Sequence, residues 1–133
     1  MDPVDVSVVI TVPSRADYLG LVRSFAGSVA GQLRLSVDDI DDLRLAIDEA
    51  FSYLLALDAA ASTVVVSFLP APDELMVTVA LDAPVSPWPP LAVEESLPWK
   101  VISGLVDRVA LERSAQGHAA IVIVKRTLDT PVA

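Results

Sequence analysis

Two β-rich runs separated by a four-residue loop place the strongest restriction on the fold of this chain. Residues 63–69 and 74–81 are apolar and rich in β-branched side chains, and residues 70–73 between them read Pro-Ala-Pro-Asp. Runs of this kind joined by a short proline-containing loop predict an antiparallel hairpin. The fold is therefore expected to contain an antiparallel sheet.

A strand and two helices are predicted before this hairpin. Apolar and polar residues alternate over residues 5–12, which is the period of a half-buried strand, and Pro13 ends it. Ser14 and Ser36 are each placed to cap a helix, the first running to about Leu33 and the second opening with acids that the helix dipole favours. Helical spacing predicts two buried stripes: Tyr18, Leu21, Val22, Phe25 and Val29, then Leu43, Ile47, Ala50 and Leu54.

A proline-rich segment follows the hairpin. Residues 83–98 carry five of the ten prolines and show no hydrophobic period, so they are expected to be irregular. Helical spacing then returns at Trp99, Ile102, Leu105 and Val106, and residues 109–113 and 119–125 predict two strands around a turn at Gln116-Gly117. The order β-α-α-β-β-loop-α-β-β predicts an α/β two-layer sandwich, an α+β fold, in one domain over residues 1–133.

Composition narrows the classes of function. With 18 acidic against 9 basic residues, the net charge of −9 repels nucleic acids and anionic membranes, although it could attract a basic protein or simply keep the domain in solution. No apolar run approaches the roughly 18 residues of a membrane helix, and the first residues lack the order of a signal peptide, so a cytoplasmic protein is expected. The absence of cysteine and the single histidine, His118, argue against thiolate and multi-histidine metal sites.

Two helical segments carry a family resemblance. Residues 17–23 read Asp-Tyr-Leu-Gly-Leu-Val-Arg, and residues 40–50 read Ile-Asp-Asp-Leu-Arg-Leu-Ala-Ile-Asp-Glu-Ala. In this order of elements, nearly the whole chain resembles the anti-sigma-factor serine-protein kinases of the GHKL (Bergerat-fold) ATPase superfamily. The resemblance implies a Bergerat-type mixed, mainly antiparallel sheet with helices on one face, a homodimer, and contact between Arg23 and a sigma factor.

The resemblance also identifies candidate nucleotide residues. It implies that Glu49 is the general base, but Tyr53 stands where the family has the asparagine that holds magnesium, and a phenol is a poorer ligand for that ion. Asp82 matches the aspartate that recognises adenine. Pro84 and Ser86, however, replace the glycines that allow the base to approach.

The glycine-rich lid of the family has no counterpart here. No glycine lies between Gly31 and Gly104, and the corresponding segment contains four prolines together with Glu94 and Glu95, which would repel a triphosphate. We therefore expect no cofactor, or only weak binding of ATP or ADP with magnesium. Gly117 also matches the family, although a hairpin turn needs a glycine in any case.

With its nucleotide motifs altered in this way, the resemblance implies an anti-sigma factor that sequesters a sigma factor of the sporulation or stress-response type and is released by a STAS-type antagonist. The alternatives are an active kinase that phosphorylates this antagonist, and a scaffold or ligand-sensing module that retains only the fold. Individual residues have alternatives too. Arg23 and Glu49 would also suit solvated helix positions, His118 suits an edge strand, Trp99 suits the core, and Trp88 suits either the core or a partner contact.

Overall fold

The computed structural model describes residues 7–57 and 60–127. Residues 5 and 6, predicted to begin the first strand, and the first residues, considered for a signal peptide, lie outside the described part. The elements are strand β1 (Val8–Pro13), helices α1 (Leu19–Ala30) and α2 (Val37–Leu55), strands β2 (Thr63–Pro70) and β3 (Glu74–Leu81), helix α3 (Leu97–Leu105), and strands β4 (Arg108–Arg113) and β5 (Ala119–Arg126). Short 3-10 turns occupy Ala16–Tyr18 and Val93–Glu95.

The five strands form one open sheet in the order β1-β2-β3-β5-β4. The predicted hairpin is confirmed, because β2 and β3 pair antiparallel from Val64 opposite Leu81 to Pro70 opposite Leu75. The other three pairings are also antiparallel, so the mixed sheet that the resemblance implied is not seen among the described strands. The α+β class is confirmed.

One face of the sheet forms the core together with the helices. Alternate residues of β2 and β3 are buried, as the period of two requires, whereas β5 is buried at six of its eight positions. Buried residues of all three strands belong to one hydrophobic cluster with residues of all three helices. The members contributed by these strands are Val64, Val66, Phe68, Leu75, Val77, Val79, Leu81, Ala119, Ile121 and Ile123. The helices therefore cover this face. None of the helices within residues 7–57 and 60–127 is long and apolar enough to cross a bilayer.

Helix α1 differs from its prediction at both its start and its buried stripe. Ser14 does not cap it, because the Ser14 hydroxyl donates to the carbonyl of Ala61 at 2.7 Å and a 3-10 turn precedes the helix. Leu21 is 52% exposed, and the fully buried positions are Val22, Ala26 and Ala30. These three residues are spaced four positions apart and so lie on one face of the helix. Two of them are alanines, whose small side chains let the helix pack close to its neighbours.

Helix α2 follows its prediction. The Ser36 hydroxyl accepts from the amide of Asp39 at 3.0 Å, which is the expected N-terminal cap. All four predicted core residues, Leu43, Ile47, Ala50 and Leu54, are buried. The buried Lys125 on β5 links the start of α2 to the end of α3. Its Nζ lies 3.4 Å from Oδ1 of Asp39 in α2 and donates to the carbonyl of Leu105 in α3 at 2.8 Å.

Candidate functional site

Helix α2 places chemically informative side chains on two sides. Glu49 and Tyr53 are four residues apart and share one face, and Tyr53 lines a small cavity beside α3. Arg44 and Asp48 share another face and line a groove beside α1. The residues of α2 that the resemblance assigns to nucleotide chemistry therefore lie on a different face from the one that borders Arg23 of α1, the residue it assigns to partner contact.

Tyr53 of α2 packs against an aromatic side chain from the proline-rich segment. Trp88 is only 5% exposed, its ring centroid lies 6.4 Å from that of Tyr53, and its Nε1 donates to the carbonyl of Glu112 at 2.8 Å. Arg113 Nη2 donates in return to the carbonyl of Trp88 at 3.1 Å. The segment is thus bound to α2 through an aromatic contact and to β4 through two hydrogen bonds.

The structure places the two tryptophans differently from each other. Trp88 belongs to the hydrophobic core, whereas Trp99 at the start of α3 is only half-buried. The ring of Trp88 is buried in this conformation, and its contact with a partner stays a prediction. The indole can be buried there because its ring packs against Tyr53 and the Glu112 carbonyl accepts a hydrogen bond from its polar atom.

The space that remains beside Tyr53 is too small for a nucleotide. A cavity of about 10 Å³ is left between Tyr53, the 3-10 turn at residues 93–95, α3 and strands β4 and β5. That volume holds about one water molecule, whereas small-molecule sites have about 300–1,000 Å³. Burial also raises the pKa of Tyr53. Its phenol is a poorer ligand for a hard cation than the carboxamide oxygen of an asparagine. The cavity beside Tyr53 is therefore too small for ATP, and weak or absent nucleotide binding stays a prediction.

Asp82 is placed at the end of β3, where its carboxylate organises the start of β2. Its Oδ1 accepts from the amides of Ser62 at 2.7 Å and Thr63 at 3.1 Å. The bond from Thr63 is the largest of the contributions that hold the pKa of Asp82 below its usual value. Contact between Asp82 and adenine would have to use the other oxygen, and it stays a prediction.

Arg23 is tied to the neighbouring helix by an ion pair. Its Nε and Nη2 lie 2.8 Å and 2.7 Å from the same oxygen, Asp48 Oδ2. The Arg23 side chain is 43% exposed and that of Asp48 only 14%, and the hydrogen bond to Asp48 raises the pKa of Arg23. Arg23 is therefore neither a free helix-face arginine nor a core residue. Sequence reasoning missed Asp48, since its partner is 25 positions away and no local pattern links the two.

Arg44 completes this groove. Its stem packs over Gly27, where a Cβ would meet Arg44 Cδ at 3.5 Å, and its Nη1 lies 3.9 Å from Asp41 Oδ1. Within the part of the chain that the structure describes, Arg44 Nε and Asp48 Oδ1 are buried without a hydrogen-bond partner. The groove has a volume of about 500 Å³ and is lined by Arg23, Asp41, Arg44, Leu45 and Asp48.

The remaining residues singled out by the sequence lie elsewhere. His118 is half-buried beside the turn in which Gly117 has φ of 80°, a conformation that favours glycine. Glu49 is half-buried on α2. No protein-family model and no curated protein matches this chain. Function must therefore be inferred from the contacts themselves.

Proposed function

We propose that this chain is an anti-sigma factor with a degenerate Bergerat-type domain, which sequesters a sigma factor of the sporulation or stress-response type. A small STAS-type antagonist protein releases it. The single observation that carries the proposal is the burial of Trp88 against Tyr53, which fills the side of α2 to which the resemblance assigns nucleotide chemistry. The domain then acts through its surface and not through catalysis.

The surface suits a basic protein partner. The net charge of −9 attracts positively charged proteins over several ångströms and repels nucleic acids. A DNA-binding protein could therefore bind this domain, and the domain itself would not contact the DNA. The α1–α2 groove adds local features, because Leu45 is 52% exposed there beside Arg23. Arg23 is the residue that the resemblance assigns to the sigma factor.

The opposite face of the sheet suits the homodimer that the resemblance implies. Val9, Val65, Met76 and Val122 alternate with core residues and so point away from the helices. None of these four is fully buried, and no described helix covers this face. Partly exposed apolar side chains grouped on one face are typical of protein interaction surfaces.

Two measurements on the purified protein test the proposal. Calorimetry with ATP and magnesium should give a dissociation constant weaker than about 100 μM, a free energy of about −5.5 kcal/mol or less in magnitude. Calorimetry against a panel of stress and sporulation sigma factors, with a housekeeping sigma factor as control, should identify one that binds. Incubation with a STAS-type antagonist and ATP should leave the antagonist unphosphorylated.

The outcomes separate the alternatives. Micromolar ATP affinity with phosphoserine on the antagonist would identify an active kinase. Failure to bind any sigma factor of the panel would favour a scaffold or sensing module. Glu49→Gln is the matched control, because removal of a residual base should abolish phosphate transfer by a kinase and leave sigma-factor affinity unchanged.

A further inference from the structure

The α1–α2 groove contains two guanidinium groups and one carboxylate that is largely enclosed. Arg23 and Arg44 line it from the two helices, and Asp48 lies between them with 14% of its side chain exposed. Asp41 also lines the groove, but its side chain is 61% exposed and 3.9 Å from Arg44, so this pair contributes little. Arg44 is thus left with only a weak, solvated partner.

The pairing of Arg23 with Asp48 is incomplete. Both Arg23 nitrogens contact Oδ2, and Oδ1 is buried without a partner among the described residues. The strongest arginine–carboxylate arrangement instead uses two parallel bonds to two oxygens. A carboxylate that is not attached to α2 can adopt that arrangement on Arg23.

Arg44 offers Asp48 a second position. The two residues are one helical turn apart on the same face of α2, and Arg44 Nε is also buried without a partner in the described chain. If Asp48 turned toward Arg44, Arg44 Nε would gain an acceptor, and the Asp48 carboxylate would exchange its contacts with Arg23 for this one. The groove therefore contains a donor that fits the displaced carboxylate.

We propose that this groove receives a carboxylate side chain of the protein partner, which binds Arg23 while Asp48 moves from Arg23 to Nε of Arg44. The identity of the partner rests on the proposed function, whereas the exchange itself does not. Leu45, half-exposed at the groove wall, contacts an apolar neighbour of the incoming carboxylate. In the absence of that partner, Asp48 stays paired with the Arg23 guanidinium. A partner without a carboxylate cannot replace it and is therefore disfavoured.

The charges favour an anionic side chain over a cationic one. A lysine or arginine approaching Asp48 would face two guanidinium groups, which costs energy at these distances. An incoming carboxylate leaves Arg23 and Asp48 each with a partner of opposite charge, since Asp48 is transferred to Arg44, while the exposed Asp41 stays solvated. That matters because a largely enclosed carboxylate left without a partner is strongly destabilising.

Acetate is the probe for the exchange. Nuclear magnetic resonance of the arginine Nε–Hε groups in the intact protein should show Arg23 shifting saturably with acetate and not with chloride at equal ionic strength. Hydrogen exchange at Arg44 Nε should slow over the same titration, because Asp48 now accepts from it. An Arg44 Nε signal that is unchanged at saturating acetate overturns the proposal, and this measurement requires no mutation.

Variants of the groove residues show whether each side chain strengthens or weakens acetate binding. Asp48→Asn should tighten acetate binding by about tenfold, the size expected when one like charge within about 5 Å is removed at a protein surface. Arg44→Met should weaken it by about fivefold, since the displaced Asp48 loses its partner. Arg23→Met should abolish it. Arg34→Met, which removes an exposed arginine outside the groove, is the matched control and should change nothing.

Repeating these titrations with the sigma factor that binds the parent protein separates the two proposals. Acetate results as expected without any sigma-factor binding would remove the proposed function and leave the exchange intact. A sigma factor that binds the parent, Asp48→Asn and Arg23→Met proteins equally would leave the proposed function intact and overturn the exchange as the basis of partner recognition.

Discussion

The ring of Tyr53 packs against the indole of Trp88 with centroids 6.4 Å apart and an interplanar angle of 43°. The resemblance assigns Tyr53 to the position of a magnesium-binding asparagine and Trp88 to the segment of a phosphate-binding lid. In this chain both positions carry aromatic rings that contact each other. The two positions are therefore occupied by side chains that pack against each other.

Trp88→Ala should destabilise the protein by about 3 kcal/mol or more, because it removes a core indole and leaves the Glu112 carbonyl without its donor. Urea unfolding measures the free energy. Trp99→Ala is the matched control and should cost less, since Trp99 is only half-buried. Equal losses in the two variants would show that Trp88 does not hold the proline-rich segment in place.

Ala92→Gly should stabilise the protein. Ala92 has φ of 55°, a left-handed conformation that costs a residue with a Cβ about 1–2 kcal/mol and costs glycine little. The greater freedom of glycine in the unfolded chain offsets part of this, so a net gain of about 0.5–1 kcal/mol is expected. Ala71→Gly in the β2–β3 loop lacks the positive φ and should be neutral or destabilising under the same urea assay.

The accuracy of the sequence predictions depended on how local each interaction is. The hairpin and the Ser36 cap involve residues close in the chain, and both were predicted correctly. Ser14 was predicted wrongly as a cap because its hydroxyl bonds Ala61, 47 positions away. The burial of Trp88 depends on a carbonyl 24 positions away, which no periodicity encodes. The Arg23–Asp48 pair was missed for the same reason.

Asp82 should contribute stability that disappears in acid. Its folded pKa is held below the ordinary value of 3.8 by amide hydrogen bonds, so the unfolded chain takes up a proton first as the pH falls. The contribution is complete above pH 3.8 and is lost as the pH falls through the lowered folded pKa. Because the Asn side chain cannot ionise, Asp82→Asn should reduce this acid-dependent loss in urea unfolding measured across that range.

The control for Asp82 is Asp73→Asn, which changes an exposed aspartate in the β2–β3 loop. This variant should follow the acid dependence of the parent protein. A parent and an Asp82→Asn protein with identical pH profiles would mean that the two amide bonds do not favour the ionised carboxylate.

Exchange of the charges at Arg23 and Asp48 should separate the ion pair from partner binding. Arg23→Glu places a second carboxylate beside an enclosed one, so the thermal midpoint should fall more than with Arg23→Met, which only removes the pair. The double variant Arg23→Asp with Asp48→Arg restores opposite charges across the α1–α2 contact, so it should recover part of the fall in thermal midpoint caused by Arg23→Glu.

If the double variant is less stable than both single changes at Arg23, the ion pair does not hold the helices together. If the thermal midpoint of the double variant does recover but its affinity for the sigma factor is lost, the loss of affinity reflects contact with the partner and not a defect in folding.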